Sequence, residues 1–126
     1  MLRMIADEVK ALLPAEWPLT IGDLPSPNVE AVCLIEFDGY YNTQYFGRGP
    51  GTMIGHPLVK IVGRSASYQQ GEFWMDESKR ILNRYYDDSD DATIISITMV
   101  GTPTYLGRNT QKFHEFQTTF QVQVKE

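Results

Sequence analysis

From His114 onward the chain alternates for about a dozen residues, roughly twice the usual strand length of 5–6. Even positions carry His114, Phe116, Thr118, Phe120, Val122 and Val124, and odd positions carry Glu115, Gln117, Thr119, Gln121, Gln123 and Lys125. A period of two puts these sets on opposite faces of a strand. The apolar set demands a cover, and a strand this long demands neighbours along its edges. The chain is therefore committed to a sheet. The odd face is polar but nearly uncharged, whereas an exposed strand normally carries Lys and Glu to discourage pairing with other chains. Glu115, Gln117, Gln121 and Gln123 are expected to form part of an interface.

Two helical patterns accompany the sheet. Leu2, Ile5, Val9, Leu12 and Leu13 fall on one stripe, and Pro14 ends it. A second helix begins near Ser67, where Ser67 and Gln70 form the Ser-x-x-Gln capping box. Its buried stripe is expected to be Trp74, Ser78, Ile81, Leu82 and Tyr85. Short strands are expected at 19–21, 58–63, 93–100 and 104–106. The run 31–37, broken only by Glu36, reads as a strand buried on both faces. The order helix, three strands, helix, three strands predicts an α+β fold: one domain over residues 1–126, a mostly antiparallel sheet and two helices packed on one face. The unit from strand 58–63 through the second helix to strand 93–100 has the form of a crossover connection.

Between these elements, residues 38–57 hold five glycines and the aromatics Tyr40, Tyr41, Tyr45 and Phe46, with Arg48 among them. A loop of about 20 residues is unusual in a compact domain and is commonly functional. Its aromatics offer either contact anchors or a cover for the sheet beneath. Tyr40, Tyr41, Tyr45, Phe46 and Arg48 are thus candidate interface residues, expected to order when a partner arrives.

Charge and composition narrow the partners. The 126 residues include 11 basic and 16 acidic side chains, net charge -5, with no basic block. Nucleic-acid binding needs clustered cations to neutralise phosphates, so no direct contact with it is expected. No apolar run reaches the roughly 18 residues of a membrane-spanning helix. Asp7 and Glu8 stand where a signal peptide needs an apolar core, so no leader is expected. The single Cys33 has no disulfide partner within the chain, which fits a reducing compartment.

A search for chemistry finds no constellation. Gly47-Arg48-Gly49-Pro50-Gly51-Thr52 lacks the Gly-Lys-Ser/Thr ending of a phosphate loop and precedes a strand. The acidic run 87–91 lacks the central Gly and distal Glu of a calcium loop. His56 and His114 have no ligand at metal spacing, and Glu115 points away from His114. No catalytic residue, cofactor or metal is expected.

One further pattern runs along nearly the whole chain: Ile21-Gly22-Asp23-Leu24-Pro25, the strand 32–37 closing on Asp38-Gly39, and Pro57-Leu58-Val59-Lys60-Ile61 leading to Arg64. It continues through Tyr68, then Tyr105-Leu106-Gly107-Arg108 followed by His114-Glu115-Phe116. In this order the residues resemble the small tail-terminator proteins of long-tailed bacteriophages, also called minor capsid or head–tail completion proteins. The resemblance implies a virion assembly protein without an active site. It implies a subunit that forms a hexameric ring with itself, caps the tail tube protein and meets the head–tail connector protein. It also implies assembly in the bacterial host cytoplasm and a final place in the virion. The segment 39–56 departs most from that pattern. The rival reading is a small soluble ligand-binding domain or enzyme with a pocket beneath the glycine-rich segment.

Overall fold

The computed structural model describes residues 5–22, 29–42, 54–87 and 94–125. In chain order the elements are α1 (Ile5–Lys10), β1 (Leu19–Ile21), β2 (Ala31–Asn42), β3 (Ile54–Ser65), α2 (Tyr68–Leu82), β4 (Tyr85–Tyr86), β5 (Ile94–Arg108) and β6 (His114–Lys125). The strands form one sheet in the order β1-β2-β3-β6-β5-β4. Only β1 and β2 pair in parallel; every other pair is antiparallel. This is the α+β architecture that the alternation demands, and β6 lies inside the sheet with neighbours on both edges.

Both helices cover the same face. Ala6, Val9, Leu13 and Trp17 from the α1 end join Trp74, Met75 and Leu82 of α2 in one core with Val32, Leu34, Val59, Ile61, Ile97, Phe116, Phe120, Val122 and Val124. The Trp17 and Trp74 rings lie 6.4 Å apart and close the core between the helices. Glu36 has a place in this scheme: its carboxylate accepts a 3.1 Å hydrogen bond from the Ala6 amide in the first turn of α1. A helix of six residues has little stability of its own, so this capping and its packing hold it.

β3 and β5 each run antiparallel to β6 and hence parallel to one another. The crossover through α2 therefore spans a gap that the last strand fills. Ala31, Val32, Cys33 and Leu34 are all buried, as a strand covered on both faces requires.

Several boundaries differ from the sequence reading. α1 stops at Lys10, and residues 11–13 form a tighter turn in which Leu12 and Leu13 donate to the carbonyls of Val9 and Lys10. α2 ends at Leu82 because Asn83 turns extended at ψ 127° and Arg84 follows with a left-handed φ of 68°, so Tyr85 belongs to β4 and not to the helical stripe. Gly71 and Met75 join the buried stripe, while Ile81 is half-buried. The capping box forms by half: Ser67 Oγ accepts from the Gln70 amide at 3.3 Å, but the Ser67 amide donates to Ser65 Oγ at 3.1 Å.

The expected long loop over 38–57 is strand at both of its ends, and residues 43–53 lie outside the described residues. β2 continues to Asn42 and β3 starts at Ile54, with Tyr40 opposite His56 and Tyr41 opposite Gly55. Glycine frequency argued for a loop, but a glycine within a paired strand can mark a bulge, and the register shifts between Phe37 and Gly39. Likewise the strands expected at 93–100 and 104–106 merge into β5, which runs from Ile94 with register shifts between Val100 and Thr104 and between Tyr105 and Gly107. Gly101, at φ 77°, lets the strand bulge there without ending.

Candidate interaction surface

The face of the sheet opposite the helices is built by alternation. On β6 it carries Glu115, Gln117, Thr119, Gln121 and Gln123, all half-buried. Their cross-strand partners on β3 are Arg64, Val62, Lys60 and Leu58, opposite Glu115, Gln117, Thr119 and Gln121 in turn. Arg64 is buried, and its Nε lies 2.9 Å from Glu115 Oε2. A buried guanidinium without a carboxylate is costly, so this pair is a structural requirement of the sheet. Glu115 therefore spends its charge within the chain. Gln123 Oε1 accepts from Ser96 Oγ at 3.1 Å across to β5.

The centre of the face, Gln117, Thr119 and Gln121, is left uncharged, flanked by Lys60 on β3 and by Thr98 and Val100 on β5. Val100 is 50% exposed. Phe37 is also exposed, with the Lys60 ammonium 5.8 Å from its ring centroid. The polar-but-neutral strand face thus exists in three dimensions as expected.

The aromatic candidates stand differently. Tyr40 and Tyr41 lie on β2, paired with β3 and not on a free loop. Tyr45, Phe46 and Arg48 lie outside the described residues.

A second surface was not anticipated. Tyr68 at the start of α2 packs against Tyr105, His114 and Phe116 with ring centroids 5.2, 5.6 and 5.1 Å away. The Tyr105 hydroxyl shares a 2.8 Å hydrogen bond with His114 Nδ1. Phe116 sits where a Cβ on Gly71 would stand, which is why this position on α2 is glycine. Tyr68 and Tyr105 remain more than 40% exposed. His114 shares the Phe116 face, as alternation requires, and works as a packed ring. The signal was present in the sequence only as four rings in separate segments, with Tyr105 brought to Phe116 by the β5–β6 register and Tyr68 laid over them by α2.

The described residues hold an open cavity of about 420 Å³ beside α1, lined by Asp7, Lys10, Ala11, Leu13, Ala15, Trp17 and Leu19. Another, at the C-terminal end of α2, is lined by charged side chains including Asp76, Lys79, Arg80 and Arg84. His114 lines neither of them. Cys33 is fully buried, with Sγ 3.5 Å from the Gly22 carbonyl oxygen, which removes it from any exposed thiol chemistry. Among the described residues no three His, Cys, Asp or Glu side chains converge on a possible metal position. No helix there is long and apolar enough to cross a membrane.

No protein-family model matches the sequence, and comparison with curated proteins finds no match. Among solved structures, the fold is similar to a chain in "Virion of native gene transfer agent (GTA) particle". The TM-score is 0.54 at 8% identity, over 94% of this chain and 84% of that one. At such low identity the likeness is one of fold, and it extends over nearly the whole molecule.

Proposed function

We propose that this chain is a structural subunit of a phage or phage-like virion, and more specifically a ring-forming tail terminator. It would assemble with copies of itself, commonly as a hexamer, cap the tail tube protein and meet the head–tail connector protein. Assembly would take place in the host cytoplasm and end in the virion. One observation carries the reading: a fold shared over nearly the full chain with a component of a gene transfer agent virion. It agrees with the resemblance carried by the sequence 105–108 and 114–116. The uncharged centre of the β6 face supports a protein that works by contact.

Sedimentation of the purified protein tests the ring directly, with a ring-sized species growing at the expense of monomer as concentration rises. A Gln117→Lys, Gln121→Lys variant places two cations in the centre of the open face and is expected to weaken self-association while the monomer stays folded. A double variant that assembles like its parent rules this face out as the ring contact. Omitting the protein during particle assembly should yield tails of uncontrolled length without heads; normal joined particles would refute the terminator role.

A further inference from the structure

The outer edge of β5 in the β5–β6 hairpin runs on past the reach of β4, while its β6 side stays paired with β3 as far as His114. β4 pairs only with Ile97 and Ser96, so among the described residues β5 has β6 alone as its strand partner from Thr98 to Arg108. Val100, Tyr105 and Leu106 are each 43–50% exposed there. Leu106 occupies the register shift between Tyr105 and Gly107, and a bulge of this kind re-aims a side chain away from the ladder. The tip is stiff. Asn109 Oδ1 accepts from the amides of Gln111 and Phe113 at 2.9 and 3.0 Å, and the Asn109 amide donates to the Phe113 carbonyl at 2.9 Å. An exposed apolar anchor on a preorganised arm loses little freedom when it binds.

Charge indicates what the arm meets. Residues 92–114 contain two of the 11 basic side chains, Arg108 and Lys112, and none of the 16 acidic ones. The arm therefore carries +2, and the rest of a chain of net charge -5 carries -7. Its complement is an acidic surface with an apolar recess. The α1 segment offers both: Leu13, Trp17 and Leu19 line its cavity together with Asp7 and Lys10, and residues 5–19 around it hold Asp7, Glu8 and Glu16 against Lys10 alone. α1 packs on β1, β2 and β3, toward one edge of the sheet, whereas the arm belongs to the other. One copy presents the two surfaces on opposite sides, the arrangement that head-to-tail rings use.

We propose that the β5–β6 hairpin is a docking arm that seats Leu106 of one copy in the α1 cavity of the next, with Arg108 and Lys112 facing the acidic α1 segment. The contact rests on the ring reading above and supplies its geometry.

Three variants test it, all at exposed positions: Leu106→Lys, the pair Arg108→Glu with Lys112→Glu, and the pair Asp7→Lys with Glu16→Lys. Each is expected to weaken self-association at least about tenfold in sedimentation, as loss of a buried anchor or of facing charges does. Mixing the two charge-reversed proteins should restore association. A Leu106→Cys protein mixed with an Ala15→Cys protein should give an intermolecular disulfide that neither forms alone. If the parent forms rings but the variants do too and no disulfide appears, the arm proposal falls and the ring reading stands. Disulfides between two Leu106→Cys copies would mean arm-to-arm contact and overturn it as well. A parent chain that stays monomeric at every concentration removes both. If the Arg108→Glu, Lys112→Glu protein assembles normally but loses binding to duplex DNA that the parent shows, the arm's charge serves nucleic acid and the proposal is wrong.

Discussion

Thr118 stands between Phe116 and Phe120 on the helix-covered face, buried, and its hydroxyl has no hydrogen-bond partner among the described residues. A buried hydroxyl left unbonded forfeits its hydration, a loss of about 1–3 kcal/mol. Thr118→Val keeps the branched shape and is expected to stabilise the protein by about 1 kcal/mol, read as a higher urea midpoint. A lowered midpoint would show that the hydroxyl has a partner. Gly71 presents the opposite balance. Alanine in a helix interior gains up to about 1 kcal/mol over glycine, but overpacking costs about 1–3. The second effect wins here, because the Phe116 ring at this site is itself held by Tyr68 and Tyr105. Gly71→Ala should lower the melting temperature; a rise would mean the ring can move aside. Alternation alone placed Phe116 on the buried face. Nothing in a helical pattern revealed that Gly71 lies under it, since that is a contact between elements distant in sequence.

At the scale of elements, the same 32-residue hairpin pairs a strand buried along its length with one that emerges from cover. β6 is bonded to β3 and β5 through most of its residues, while among the described residues the second strand neighbour of β5 is β4, paired at Ser96 and Ile97. Local opening needs fewer contacts broken at the free edge. Amide exchange should therefore be slow throughout 116–122 and faster on the outer side of 98–108. Met99 is the expected exception, because its amide donates to Asn83 Oδ1 at 3.0 Å. Asn83→Ala should release that one amide and leave its neighbours unchanged. Uniform protection across both strands would mean that the edge of β5 is covered. The element types were legible because period two and period 3.6 persist where one face is buried. Ends were not. Gly39, Gly55 and Gly101 signal turns by composition, yet each lies within a strand, Gly39 and Gly55 paired across it and Gly101 at a bulge. The half-formed capping box has a similar cause: Ser65, from the preceding strand, takes the bond that Gln70 was expected to make.

For the whole molecule, the class of fold followed from one long two-faced strand plus two apolar stripes, but the order of strands did not. Periodicity says which face a residue occupies and not which neighbour it meets, so the insertion of β6 between the parallel β3 and β5 was out of reach. The candidate surface divided the same way: the neutral face of β6 was visible in the sequence, whereas the Tyr68, Tyr105 and His114 cluster required the fold to assemble it. That cluster sets the expected consequence of removing the histidines. His114 contributes one hydrogen bond to Tyr105 and ring contacts to two tyrosines, all of which hold its ring in place. A His56→Gln, His114→Gln protein should lose about 1 kcal/mol of stability from the broken bond and still form the same assembly. Sedimentation and the yield of joined particles, measured on protein shown to be folded by circular dichroism, give the answer together. A normal oligomer with collapsed particle yield would assign the histidines a chemical task that contact alone does not explain, and the structural reading of this chain would have to yield to it.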